Sequence, residues 1–347
     1  MTGSAGLVGS EACRLFSENG YDVVGFDNDM RATFFGPSAS THKNRMVLQA
    51  SIANYNHVSV DIRDRNHVFR EFEHYGANIV AVIHAAAQPS HDWATRDPIT
   101  DYEVNSMGTL NLLEATRRYC RGAAFIFAST NKVYGDTPNR FRFTELATRW
   151  DLPEDHPCHS GIDESMSIDQ SQHSLFGSSK ASADILVQEY GRTFGMNTVC
   201  FRCGCVTGPA HAGVELHGFL HYLMQCVMDQ KAYFVCGHGA KQVRDNIHSR
   251  DLVQAFWEYF QAPRPAEVYN MGGGRSSACS MLEAIWMCEN ITTKPLRWRL
   301  NDAARPGDHR WYVSDTRKFQ SHYPEWRITR DVPKILQEIY TARKGAE

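Results

Sequence analysis

The residues best suited to chemistry fall into a few short stretches. His173-Ser-Leu-Phe-Gly-Ser-Ser-Lys180 opens a helical pattern that runs through Asp184 and Val187 to about Phe194. Phe176 and Lys180 are four apart, so on a helix they share one face, one turn from each other. A lysine there can lower the pKa of a neighbouring acid–base group, yet a phenyl ring neither donates nor accepts a proton. Ser129-Thr130-Asn131-Lys132 follows the apolar run at 123–128, and its hydroxyls are site candidates. The segments 242–248 and 305–308 carry Arg244, Arg305 and Asp308. An arginine can hold a phosphate, although a lone one is more often a surface charge.

These residues need a scaffold, and the N-terminal pattern describes one. Thr2-Gly-Ser-Ala-Gly-Leu-Val-Gly9 places glycines at 3, 6 and 9 before a helical pattern at 11–19, and the strand pattern 21–26 ends at Asp27. A glycine turn at a helix N-terminus lets backbone N–H groups approach a pyrophosphate, whose charge the helix dipole favours. An acidic residue closing the next strand can take both ribose hydroxyls of NAD and repel the 2′-phosphate of NADP. Such a turn normally follows a buried strand, and here only Met1 precedes it. The first strand therefore reads as truncated by about six residues, a typical strand length. Mass spectrometry of the native N-terminus tests this expectation.

Further along, 28–53 is polar and irregular, a loop with room for a short helix, and 58–61 reads as a strand end at which Asp61 and Ile62 can reach an adenine. Asp64 is placed to cap the helical run through Phe72. The continuous apolar strand 79–84 suits a parallel sheet buried on both faces, and it runs into Ala85-Ala-Ala-Gln-Pro89, whose small side chains let a cofactor lie against the backbone. His84 reads as a packed structural histidine rather than a catalyst. A long helix is expected over 97–120 and a buried strand over 123–128. Strands alternating with helices of this length predict an α/β fold, a Rossmann-like doubly wound parallel sheet with ligands beyond the carboxyl ends of its strands. The strict alternation fades after the strand 197–202. The expected organisation is thus a dinucleotide-binding domain over 1–202 with a polar, acid-rich loop insertion at 136–170. A smaller mixed α/β substrate-binding part over 203–347 follows, some of whose segments return to the first domain.

Composition narrows the function classes. Charged residues make up 22% of the 347 and the formal charge is −3, which gives no electrostatic case for nucleic acid or an anionic membrane. No apolar run approaches a membrane span. The ten cysteines are scattered, and no second Cys-x-x-Cys pair or matching histidine spacing accompanies Cys200-Phe-Arg-Cys203, so reduced cytoplasmic thiols are expected rather than metal or disulfides.

Taken together, the segments 2–9, Asp27, His84–Ala87, 129–135, Phe176–Lys180, 207–209, 242–245 and 305–308 resemble the extended short-chain dehydrogenase/reductases, the NAD-dependent nucleotide-sugar epimerases and dehydratases. The resemblance covers essentially the whole chain from Thr2. It implies that Gly3, Gly6, Gly9, Asp27 and Asn28 bind NAD, with Asp61 and Ile62 at the adenine and Ala85 and Ala86 against the cofactor. It implies that Lys180 holds the nicotinamide ribose and that Thr130 is the catalytic hydroxyl. Asn131, Arg244, Arg305 and Asp308 are assigned to the nucleotide sugar by the same resemblance. Family members carry a tyrosine where Phe176 stands, and the substitutes near it in sequence or implied position are Thr130, His173 and Lys180 itself, with Cys203 and Cys205 weaker. The family's dehydratases carry an Asp-Glu pair after the threonine, whereas this chain has Asn131-Lys132, which argues against dehydration. The expected activity is epimerisation, by transient oxidation to a ketosugar and re-reduction on the other face, with C2 of a CDP-sugar favoured. A reductase, an atypical dehydratase and a catalytically silent binding protein stay open. A homodimer built on the helices near 97–120 and 171–194 is implied as well.

Overall fold

A computed structural model of the chain describes residues 1–215, 217–301, 303 and 307–345. The chain forms two compact units. The first comprises Met1–Val133, Leu175–Arg202 and Leu252–Tyr269, and the second comprises Tyr134–Ser174, Cys203–Asp251 and Asn270–Glu347.

The first unit is organised by a parallel sheet. Val23–Phe26 pairs in parallel with Tyr55–Val58, and Ala81–His84 pairs in parallel with Ala124–Thr130. Thr2 bridges these two halves, being paired in parallel with both Phe26 and His84, so Met1 and Thr2 occupy the place where a first strand is expected. Beyond Ala124–Thr130 the order continues through Asn197–Cys203 to Glu267–Met271. Crossover helices bury their apolar faces on the sheet, which forms one core with Phe72, Val82, Leu112, Phe125, Phe127 and Val187 among its members. The polar stretch after Asp27 holds two helices, Met30–Phe35 and His42–Ser51.

The helical stretch at 97–120 departs from a single regular helix. Asp97 caps Pro98–Tyr102 by accepting the Thr100 N–H at 3.0 Å, a π-turn follows over Glu103–Met107, and α-helix resumes at Gly108–Tyr119. A π-turn inserts one residue without changing the sequence's apolar rhythm. Here it aims Asn105 and Ser106 at the helix Leu175–Phe194, where they bond Ser179 at 3.0 and 2.8 Å.

In the second unit the hub is the strand Val243–His248. It pairs antiparallel with Ala278–Ser280 and in parallel with Trp311–Tyr312 and Cys205–Thr207. The helices Phe219–Met228, Met281–Thr292 and Val332–Lys344 close over a separate core that includes Leu223, Met224, Ile285, Ile335 and Leu336. The segment 136–170 belongs to this unit and is clamped within it. Arg149 pairs with Glu283, and Arg275 with Asp151 at 2.7 Å.

All ten cysteines are free thiols. Cys13, Cys120 and Cys200 are buried in the first unit, and Cys203, Cys226, Cys279 and Cys288 in the second. Burial pushes the Cys13 and Cys120 thiols up to about 12, and it raises those of Cys200, Cys279 and Cys288 as well. Among the described residues no helix is long and apolar enough to cross a membrane.

Candidate functional site

The glycine turn is built by close contact. Gly3 has φ +63°, and a Cβ there would stand 2.8 Å from the Ala86 nitrogen, while a Cβ at Gly9 would stand 2.1 Å from the Gly3 carbonyl oxygen. The turn therefore lies directly against Ala85 and Ala86, which bond back to Thr2 through their N–H groups at 3.2 and 3.3 Å. Helix Leu7–Glu18 has Gly6 at its N-cap position, which supplies no side-chain cap, and uncapped N–H groups at a helix N-terminus suit an anion. Half-buried Asp27 accepts the Ala5 N–H at 3.0 Å and the Asp29 N–H at 2.8 Å. A carboxylate has about four acceptor sites, so it can still take ribose hydroxyls. Asn28 turns its side-chain oxygen to the Met30 N–H at 3.2 Å. The cradle and this donor and acceptor set fit a dinucleotide.

At the neighbouring strand ends, Asp61 is gripped by Arg63 at 2.7 Å. Burial would raise its carboxyl, but the Arg63 hydrogen bonds outweigh burial and hold it below the ordinary value. Buried Ile62 packs against Gly108 and its carbonyl accepts from Asn111 at 3.0 Å. His84 is fully enclosed, with Thr2 on one ring nitrogen at 2.8 Å and Thr109 on the other at 2.9 Å. Burial, then the charge of Lys180, lowers its pKa far below the usual imidazole range. It is a neutral packing residue.

Lys180 is 3% exposed. Its Nζ donates to the Ala128 carbonyl at 2.9 Å and lies 4.1 Å from the Phe127 ring centroid, which fixes the ammonium at the carboxyl end of the strand Ala124–Thr130. One turn back, the Phe176 ring is buried edge-to-face with His91, centroids 5.0 Å apart. Thr130 Oγ1 accepts the Lys132 N–H at 3.2 Å, and Asn131 is buried beside it. The Ser129 hydroxyl is committed elsewhere, donating to Asp184 at 2.6 Å. Asp184 also holds the buried Arg202 at 2.8 Å.

Sequence reasoning missed the polar network behind this helix. Gln88 donates to Asp101 at 2.6 Å, Asn105 donates to Asp101 at 3.0 Å, and Asn105 continues to Ser179. Burial pushes the Asp101 carboxyl up, opposed by hydrogen bonds from Ser179 and Gln88 and by the charge of Lys180. His91 was missed too. Ser90, which caps the helix that His91 opens by accepting the Trp93 N–H at 3.2 Å, marks only the start of that helix.

The remaining candidates lie in the second unit. Arg244 pairs with Asp308 at 3.1 Å, and the Asp308 carbonyl accepts from Asn139 at 2.8 Å. Arg305 lies outside the described residues. His173 turns its Nδ1 to the Ser171 carbonyl at 3.1 Å. Cys203 is buried and Cys205 half-buried.

Comparison with known proteins agrees with this architecture. Residues 1–272 match the NAD dependent epimerase/dehydratase family. The chain is 32% identical to the CDP-paratose 2-epimerase of Salmonella typhi over 347 residues, covering 98% of this chain and 97% of that one. It is 27% identical to the dTDP-glucose 4,6-dehydratase of Salmonella typhimurium over 331 residues, covering 92% and 85%. Among solved structures, the UDP-glucose 4-epimerase of Thermus thermophilus in complex with NAD has a TM-score of 0.79 at 24% identity, covering 100% and 98%. A family match across most of the chain and a full-length relative above 30% identity show that this chain belongs to the NAD-dependent epimerase/dehydratase family.

Proposed function

We propose that this chain is an NAD-dependent nucleotide-sugar epimerase, with a CDP-sugar as the favoured substrate and C2 as the centre inverted. The observation that carries the reading is Asn131-Lys132 directly after Thr130. Elimination of water needs carboxylic acids there, and neither an amide nor an ammonium can take that role. The full-length likeness to a protein named CDP-paratose 2-epimerase supports the choice of base and carbon.

When bound, NAD supplies reversible hydride acceptance, so it acts without net redox change. The chain's own residues bind and orient. Gly3, Gly6 and Gly9 bring N–H groups to the pyrophosphate. Asp27, with Asn28, takes the ribose hydroxyls, and Asp61 and Ile62 flank the adenine. Ala85 and Ala86 keep the approach to the backbone open. Lys180, pinned at the Ala128 carbonyl, orients the nicotinamide ribose. Thr130 and Asn131 meet the sugar, while Arg244 and Arg305 hold its diphosphate. Asp308 competes with that diphosphate for the Arg244 guanidinium, so binding exchanges one anion for another. His173 is a further candidate proton group.

Phe176 favours a second reading, a protein that binds NAD and nucleotide sugar without turnover. Proton NMR of CDP-paratose incubated with the protein and NAD separates them. The C2 epimer without net NADH supports the epimerase, net formation of NADH with oxidised sugar indicates a reductase running in reverse, and bound but unchanged sugar indicates the silent form.

The expected assembly is a homodimer. Ile99 is 72% exposed, and Tyr102, Met107, Leu175 and Ile185 add exposed apolar surface on the segments around 98–107 and 175–185, which suits a helical interface. A monomer in light scattering at micromolar concentration would refute it. The free thiols suit a reducing cytoplasm.

A further inference from the structure

The acid–base step demands a group that Phe176 cannot be, and the ring's own neighbour is one. His91 begins the short helix His91–Arg96, just past the loop that leaves the carboxyl end of Ala81–His84. In doubly wound sheets that is where ligands lie. Its imidazole is half-buried and meets the Phe176 ring at 5.0 Å with an interplanar angle of 66°. Phe176 shares its helix face with Lys180, one turn away.

The loop carrying His91 is held firmly. Gln88 is fully buried, donates from its side chain to the Ser90 carbonyl at 2.8 Å, and receives the Ser90 N–H at 2.6 Å. The Gln88 N–H donates to Asn105 Oδ1 at 3.0 Å. Because Asn105 also bonds Ser179, the residue before Lys180, one buried network sets both the histidine loop and the lysine helix. The π-turn is what aims Asn105 at both.

We propose that His91 is the acid–base group of this site, an inference that rests on the epimerase reading above. As the sugar carbon is oxidised, the hydroxyl proton passes to an imidazole nitrogen and the O–H electron pair forms the C=O bond. The C–H pair leaves as hydride to the nicotinamide ring. Re-reduction on the other face returns hydride to carbon and the proton from imidazolium to oxygen. Phe176 serves as an apolar wall that sets the tilt of the imidazole. Histidine's ordinary pKa near neutrality suits both directions of transfer.

The test uses His91→Gln, and His91→Gln combined with Phe176→Tyr, in the full chain with NAD. His91→Gln is expected to slow epimerisation of CDP-paratose by about 10²–10⁴-fold while calorimetric affinity for the sugar changes little, and the added phenol to recover much of the rate. A His91→Gln rate within about threefold of the parent overturns the proposal. A second readout needs no turnover. The imidazole proton resonance assigned to His91 by its loss in His91→Gln should shift when CDP-paratose binds the NAD-loaded protein. If the parent converts nothing, the epimerase reading fails. The acid–base role falls with it, and the resonance is then read for placement alone: a shift puts His91 at the sugar, and an unmoved signal removes it from there.

Discussion

Replacing Asp184 by alanine should be among the most damaging single changes in the first unit. Its carboxylate is 1% exposed and receives Arg202 at 2.8 and 3.2 Å, Ser129 at 2.6 Å and Gln188 at 2.7 Å. Removing it leaves a guanidinium that is only 7% exposed without its counter-charge, together with an orphaned buried hydroxyl. Breaking a buried pair from one side costs about 3–5 kcal/mol, because the surviving charge stays desolvated. With a urea slope of roughly 2–3 kcal/mol per molar, the unfolding midpoint should fall by about 1–2 M. Circular dichroism across a urea series measures this. Removing both charges with Asp184→Leu and Arg202→Met should recover most of the loss, since matched apolar replacement of a buried pair is often neutral. A midpoint shift below about 0.3 M for Asp184→Ala, outside the slope and cost just given, would show that Arg202 finds water or another acceptor and that the pair does not tie helix to sheet.

Two further outcomes follow from the same geometry. Gly9→Ala drives a methyl group into the Gly3 carbonyl, 2.1 Å away, so the turn must open and NAD affinity should fall more than about tenfold; calorimetric affinity equal to the parent would refute the turn as the pyrophosphate cradle. Burial pushes the Asp245 carboxyl up to about 6, against the hydrogen bonds from Ser314. The folded state therefore binds this proton more tightly than the unfolded one, and stability from this group is fully present below the unfolded value and lost as pH rises through about 6. The loss is at most about 3 kcal/mol, and Asp245→Asn should flatten it; urea midpoints at about pH 5 and about pH 7.5 that differ equally in both proteins would exclude Asp245 as the source.

What was legible in the sequence was chemistry fixed by local spacing. Gly3, Gly6, Gly9 and Asp27 sit within one strand–helix exchange, and Phe176 and Lys180 within one turn, so short-range geometry was enough to pair them. His91 carries no such signal, because its meaning lies in contact with Phe176 on a distant helix. The π-turn was invisible for a related reason: Val104, Leu112 and Ala115 keep a helical rhythm whether or not one residue is inserted. The strand Val243–His248 was hidden by its own composition. Asp245, Asn246 and His248 are all buried there, which defeats the alternation of polar and apolar residues that marks a strand. Some of their partners lie far along the chain, as the Ser314 N–H does for Asp245 at 2.8 Å. The Arg244–Asp308 pair likewise joins two segments whose sequences show only separate charges.

The buried thiols give each unit a clock for its own opening. Alkylating reagents attack the thiolate, and thiols raised as far as those of Cys13 and Cys279 stay protonated and shielded until the surrounding structure parts. Labelling then proceeds in proportion to the transiently open population. Cys13, Cys120 and Cys200 time the first unit, while Cys226, Cys279 and Cys288 time the second. A dinucleotide seated on the glycine turn should slow the first set by about the factor 1 + [L]/Kd, where [L] is its free concentration. Peptide mass spectrometry of the labelled chain would then report occupancy without turnover, fluorescence or an engineered probe.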